Sequence, residues 1–267
     1  MNKMEIVRVR LINSDEKGCE DAPAEVLKEL KNITSRENGE LIEFDKLKLE
    51  EIHVNLKNLT EADYLIYENS KEIFAKNFKS FFVGGDCSIN YPILKAFNKL
   101  EKNPLLIVFD AYACCEENKK NESVFNNKNW LRNLIEKCFF GNKIILISAR
   151  NFKKNEIKFL EENHINLIKM EVLREDLGGV CDVVMERARM ASGFFVSLDI
   201  NCVDPGFAPG TNNPESGGLS SGDLIYFLKR LRRLDNFKGA DIVEINPYKD
   251  FNKMTVKLGA KLLAEMI

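Results

Sequence analysis

The run Phe194-Phe195-Val196-Ser197-Leu198 is apolar and ends in a carboxylate, Asp199. A second apolar run, Pro104 to Phe109, ends in Asp110. In open α/β sheets, ligands bind beyond the carboxyl ends of the strands, so an acid at such a tip is a candidate site residue. Carboxylates suit hard metal ions and planar cations of the guanidinium type. Asp204 follows Asp199 and is locked by Pro205; a loop rich in Pro, Gly and Asn then runs to Gly217-Gly218. The histidines are only two, His53 and His164, and both lie outside these stretches; each reads as a surface or structural side chain. A thiol nucleophile at Cys87 or Cys114 would need a base to make its thiolate, and no histidine is at hand for it.

The elements that must position these groups alternate. Ile6 to Ile12 reads as a first strand and Asp21 to Leu30 as a capped helix with Pro23 near its start. Leu41 to Leu56 contains short strand-like pieces. Glu61 to Asn77 has helical spacing, with Ala62, Leu65, Ile66, Ile73 and Phe74 able to share a face. Phe81-Phe82-Val83 is a short buried strand that runs into Gly84-Gly85-Asp86, with a helix following to Leu100. Pro104 to Phe109 has the continuous apolar character of a central parallel strand. Residues 116 to 129 are polar and Asn-rich, hence a loop. Trp130 to Phe139 is predicted helical, Lys143 to Ser148 a strand, Lys153 to Asn163 a helix, Leu167 to Met170 a short strand and Asp182 to Ala191 a helix. Ser220 to Leu234 is an amphipathic helix with Ser220 or Ser221 as N-cap and Asp223 in the first turn. Gly239 to Asn246 is a strand, and Thr255 to Ile267 a closing helix. Strands and helices in alternation predict a three-layer α/β/α fold around a mostly parallel sheet. No repeat or linker divides the chain, so residues 1–267 are read as one domain.

Composition narrows the partners. Of 267 residues, 45% are apolar, enough for a large core, and 39 basic against 41 acidic side chains give a net charge of −2. That balance offers no electrostatic case for nucleic acid or an anionic membrane. Met1 to Leu11 lacks the apolar core of a signal peptide, and no run approaches the ~18 apolar residues of a membrane span. The seven cysteines are odd in number, scattered and without a CxxC, which predicts reduced thiols in a cytoplasmic setting.

The segment from Ser197 to Leu219, reading SLDINCVDPGFAPGTNNPESGGL, resembles the ureohydrolase family of arginases, agmatinases and formimidoylglutamases. Three further segments carry the likeness. Val83-Gly84-Gly85-Asp86-Cys87-Ser88-Ile89 is similar to the family's V-G-G-D-H-S-[IL]. Phe109-Asp110-Ala111-Tyr112-Ala113-Cys114 is similar to F-D-A-H-x-D. Asp241-Ile242-Val243-Glu244-Ile245-Asn246-Pro247 is similar to D-[IL]-x-E-[VI]-N-P. The order and spacing of the four fit, so the resemblance covers nearly the whole chain.

What the resemblance implies is a hydrolase in which two manganese ions share a hydroxide that attacks a guanidino or amidino carbon. The ions are held by two His and four Asp. Carried over residue by residue, the first His is Cys87, the first Asp is kept as Asp110, the second His is Tyr112, the next Asp is Cys114, the following Asp is kept as Asp199, and the last is Asn201. A further pocket His of the family would fall near Asn126 to Asn129, where none stands. Gly84, Gly85, Asp204, Pro205, Pro209, Gly210, Gly217 and Gly218, the residues of tight turns and positive φ, remain. The frame is kept and the metal shell is altered.

Two functional expectations follow. In the first, the protein is a catalytically silent relative with a binding or structural role. In the second, it is a hydrolase of C–N bonds in linear amidines with a re-tuned site, in which Cys87, Asp110, Cys114 and Asp199 hold one zinc or iron ion, thiolates favouring softer ions than manganese. The resemblance assigns Glu244 to the substrate's guanidinium, so a small cationic guanidino or amidino ligand is the expected partner. Tyr112 and Asn201 would fill the vacated metal space with hydrogen bonds. The family forms trimers and hexamers, so a homo-oligomer, or assembly with an active paralogue, is also implied.

Overall fold

A computed structural model describes residues 4–118 and 126–267. The part of the expected Asn-rich loop that falls on 119–125, and residues 1–3 of the stretch read for a signal peptide, lie outside the described residues. The strands are β1 (Met4–Val9), β2 (Leu47–Ile52), β3 (Lys79–Gly84), β4 (Pro104–Phe109), β5 (Ile144–Ile147), β6 (Asn166–Ile168), β7 (Gly193–Asp199) and β8 (Phe237–Val243). They form one sheet in the order β2-β1-β3-β8-β7-β4-β5-β6, and every pairing in it is parallel.

Parallel neighbours need crossovers, and the helices provide them. They are α1 (Ala22–Leu30), α2 (Leu59–Ala75), α3 (Asn90–Leu100), α4 (Trp130–Lys137), α5 (Lys154–Glu162), α6 (Met170–Glu175), α7 (Leu177–Arg189), α8 (Ser221–Leu231) and α9 (Met254–Met266). Apolar side chains of α1, α7, α8 and α9 pack on one face of the sheet. Those of α2, α3, α4 and α5 pack on the other. Neighbouring residues of one strand divide between the two cores: Phe81 and Phe194 join the first and Phe82 and Phe195 the second. This is the period-two alternation of a strand covered on both sides, and the expected three-layer α/β/α fold.

Element by element, the pattern reading holds in kind with shifted bounds: β1 starts at Met4 and ends at Val9, α7 starts at Leu177, five residues before the expected Asp182, β8 ends at Val243, and Asp21 precedes α1 without a side-chain cap hydrogen bond. Met170, expected at the end of a strand, opens α6 instead. β8 begins at Phe237, two residues before Gly239, and a register shift opposite Phe194 and Phe195 accommodates it. A Cβ on Gly239, which has φ +152°, would stand 1.9 Å from the Ser80 carbonyl oxygen, so the β3–β8 approach requires a bare Cα there. The glycines expected to need positive φ also divide. Gly217 does, at φ +78°, whereas Gly85 is required by packing: a Cβ would lie 1.9 Å from the Leu11 carbonyl oxygen. At the start of α8 the Ser220 side chain accepts from the Asp223 amide, as the cap expectation had it.

The order of the sheet creates the site. β1 to β3 lie on one side and β4 to β6 on the other, and the late strands β8 and β7 fill the gap between β3 and β4. The carboxyl ends of β3, β8, β7 and β4 therefore stand side by side, and the loops leaving them diverge to either side of a crevice.

Candidate functional site

Four strand ends supply the site. After β3, the turn Gly85-Asp86 is fixed by the Asp86 carboxylate, which accepts from Ser88 N at 3.0 Å and from Asn13 N at 2.7 Å. That turn presents the backbone N–H of Cys87 to Glu244 Oε1, 3.0 Å away. Glu244 follows β8 and is anchored by its own N–H to Gly85 O at 2.9 Å. Its φ is +67°, a left-handed conformation that a non-glycine residue rarely adopts. The strain turns a charged side chain inward, where it is 1% exposed.

After β4, Asp110 accepts from Tyr112 N at 2.9 Å and from the Cys114 thiol at 3.2 Å. Cys114 also sits at positive φ, +50°. After β7, Asp199 accepts from Asn201 N at 2.8 Å. A cavity of about 380 Å³ is lined by Cys87, Cys114, Asp199 and Glu244 and by Tyr112, Asn127 and Lys153, among others; Asp110 stands behind it, bonded to the Cys114 thiol.

The acids of the cavity floor are buried close to one another, which disfavours their charged forms. Burial, followed by the backbone and thiol hydrogen bonds that work against it, leaves Asp110 pushed up to about 7. Burial, then the charges of Asp110 and Glu244, raises Asp199 well above the carboxylate range. Burial, then the charge of Asp86, pushes Glu244 up to about 8. The Cys87 thiol is raised chiefly by burial. For Cys114, the hydrogen bond with Cys87 pulls down, but burial and the charges of Asp110 and Asp199 outweigh it and the thiol is raised. A pocket that disfavours its own anions favours a cation among them.

The predicted site residues do not all meet at one point. The ligand atoms of Cys87, Asp199 and Glu244 lie within 4.8 Å of one another. Asp110 and Cys114 stand beside them, bonded to each other, and the Cys114 thiol contacts that of Cys87. Tyr112 does not fill the floor as expected; its hydroxyl donates to Glu215 at 3.3 Å at the rim. Asn201 does turn inward, and its amide oxygen accepts from the Thr211 hydroxyl. The Cys87 thiol donates to Asn127 O at 3.2 Å, within the stretch where the resemblance would put a histidine. His53 and His164 are exposed, and neither lines the cavity.

Two manganese ions do not fit these residues. The resemblance requires two imidazoles and four carboxylates, and the site offers two thiols, a phenol turned to the rim and an amide committed to Thr211 where four of those ligands belong. Hard divalent ions in a pair need dense oxygen and imidazole ligation.

One supporting residue escaped the sequence reading. Arg150, just beyond β5, donates to Asn201 O at 2.8 Å, Ser216 O at 3.0 Å, Glu215 O at 2.5 Å and Cys202 O at 3.4 Å. A single guanidinium thus ties the 201–216 loop to the sheet. Its signal was position: a charged residue just past an apolar strand, the rule that had singled out Asp110 and Asp199.

The comparisons with known proteins agree with this geometry. A model of the Arginase family matches residues 7–267. The mitochondrial agmatinase of Gallus gallus is 29% identical over 225 residues, which cover 81% of this chain and 64% of that protein. The guanidinobutyrase of Pseudomonas aeruginosa is 28% identical over 232 residues, 84% of this chain and 72% of that one. This chain thus spans a little under two thirds of the agmatinase's length. Among solved structures, formimidoylglutamase from Bacillus subtilis superposes with a TM-score of 0.91 at 22% identity, covering 100% of this chain and 86% of that one. At that identity the likeness is one of fold.

Proposed function

The chain belongs to the arginase family, and from that premise we propose that it has given up two-manganese hydrolysis and keeps the pocket to bind a small guanidino or amidino cation. One observation carries the reading: the vacated ligand positions are tied into protein hydrogen bonds. Cys114 bonds Asp110, Asn201 bonds Thr211, and Tyr112 bonds Glu215. Such a site is knit shut as a metal-pair site while its floor keeps buried carboxyl groups that a bound cation would return to their charged form. Glu244 is the group for the ligand's planar cation, since a carboxylate pairs with a guanidinium through two parallel hydrogen bonds. The relatives' names, agmatinase and guanidinobutyrase, are those of enzymes acting on such compounds.

The working unit in this reading is one domain, cytoplasmic, assembled with copies of itself or with an active relative. No helix among the described residues is long and apolar enough to cross a membrane. The net charge of −2 supports no nucleic-acid partner.

The test pairs a urea-release assay with calorimetric titration. With excess manganese and agmatine, 4-guanidinobutyrate or arginine, no urea is expected, while at least one of the three binds the metal-free protein. Turnover with manganese would overturn the proposal.

A second reading has its own observation, the thiols of Cys87 and Cys114 and the Asp199 carboxylate lining one cavity, with Asp110 bonded to the Cys114 thiol. In it, Cys87, Asp110, Cys114 and Asp199 hold one zinc or iron ion that activates water against a C–N bond. Urea release that depends on zinc or iron and not on manganese would favour this reading.

A further inference from the structure

The two carboxylates on the cavity floor are each half committed. Glu244 gives Oε1 to the Cys87 amide at 3.0 Å, and its Oε2, fully buried, meets no hydrogen-bond partner among the described residues. Asp199 gives Oδ1 to the Asn201 amide at 2.8 Å. One oxygen of each carboxylate and the Cys87 sulfur form a triangle with no side longer than 4.8 Å. Donors bound tetrahedrally to one ion at about 2.0–2.3 Å stand about 3.3–3.8 Å apart, so the triangle has to draw in by no more than about 1.5 Å.

We propose that Cys87, Asp199 and Glu244 form a binding site for a single thiophilic divalent ion of the zinc or ferrous class, and that Glu244, the carboxylate expected to greet a guanidinium, is one of its ligands. The donor set decides the class. A thiolate with two carboxylates is a borderline site that suits zinc or iron better than manganese or magnesium. The cavity of about 380 Å³ leaves room for water to complete the coordination. Asp110 and Cys114 act as positioning residues: Cys114 touches the Cys87 sulfur from one side and bonds Asp110 on the other. On binding, the Cys87 S–H bond breaks, the sulfur's electron pair bonds the ion, and the proton leaves to solvent.

One consequence rests on the binding function proposed above. Glu244 cannot serve a metal ion and a guanidinium at once, so the two occupants exclude each other.

The test uses the full chain stripped with a chelator and titrated with cobalt(II), whose bond to a thiolate gives a charge-transfer absorption in the near ultraviolet. One equivalent is expected, with the band present. Cys87→Ser should abolish the band, and Glu244→Gln should weaken binding by at least about tenfold, as loss of one ligand does. Cys115→Ser, which alters a buried thiol outside the triangle, should leave both unchanged. Thermal unfolding of each variant without metal separates a lost ligand from a lost fold: a ligand variant still melts cooperatively but is no longer raised by cobalt. Absence of the band in the parent protein, its persistence in Cys87→Ser, or two equivalents bound would overturn the site. Methylguanidinium titrated with and without cobalt tests the exclusion. Binding unaffected by cobalt would overturn it. A cobalt band without any methylguanidinium binding would uphold the ion site and remove the guanidinium reading instead.

Discussion

Glu244 is where sequence, conformation and chemistry meet. A carboxylate at φ +67° is held by its own N–H to Gly85 and by one side-chain oxygen to Cys87, and its second oxygen is buried with no hydrogen-bond partner among the described residues. Such strain persists where surrounding structure over-determines it. Glu244→Gln keeps shape and both tethers but removes the charge. The expected outcome is a more stable metal-free protein and at least a tenfold loss of cation affinity, read by denaturant unfolding and calorimetry. Gly85 makes the opposite case. Gly85→Ala would drive a Cβ to within 1.9 Å of the Leu11 carbonyl and spread β3 from the loop beside it. A loss of about 2–3 kcal/mol is expected in urea unfolding. An unchanged midpoint would mean that the turn yields more easily than its packing indicates.

Among the elements, the strand ends that build the pocket are joined by a loop that has little regular structure of its own. Asp204 and Arg150 hold it. The Asp204 carboxylate accepts from Gly206 N at 2.9 Å and Gly217 N at 2.7 Å, and the Gly206 hydrogen bond above all holds its pKa below the usual range. Arg150 spans the carbonyls of residues 201, 202, 215 and 216. Arg150→Lys keeps the charge and loses the planar fork that reaches several carbonyls at once. The expected outcome is about 1.5–3 kcal/mol of lost stability and faster amide exchange over 201–217, with exchange in β4 unchanged.

The same loop shows what a sequence can and cannot disclose. Asp110 and Asp199 were legible because an acid that ends an apolar run has few other reasons to be there. β4 was legible to the residue, since a two-faced buried strand is apolar throughout. Cys87 and Cys114 were found through family positions and not through any spacing of their own. That Glu244 joins Cys87 and Asp199, rather than Asp110 and Cys114, depends on a left-handed residue after β8 that no periodicity encodes. Arg150 acts through carbonyls, which carry no side-chain signature. β6 lies where the short strand was expected, but its end was not legible, because a run as short as Leu167 to Met170 has no distinguishing period and Met170 opens α6.

For the whole molecule, the buried carboxylates set the response to pH. Burial raises Asp241 to about 7, with Ser197 and Leu198 hydrogen bonds opposing it, and raises Asp110 to about 7 and Glu244 to about 8. These folded values lie above the unfolded ones, near 4. Between about pH 4 and 8 the folded state therefore binds more protons than the unfolded, and stability falls as pH rises through that window. Asp204 works in the other direction, its lowered pKa adding stability above about pH 4 that acid removes. Maximal stability of the metal-free protein is expected near pH 4–5, with a steady decline from there to pH 8. Urea unfolding across the range checks it. Cobalt or zinc should flatten the decline, because an ion among the carboxylates favours their charged form.

The chain has the arginase-family scaffold, and the proposed ion site would turn its strand ends from two hard ions to a single softer cation. Anomalous diffraction at the zinc and manganese edges, from crystals soaked in both metals, tests that directly. The expected map has one zinc peak among Cys87, Asp199 and Glu244 and no manganese. Two manganese peaks bridged by Asp110 and Asp199 would contradict it.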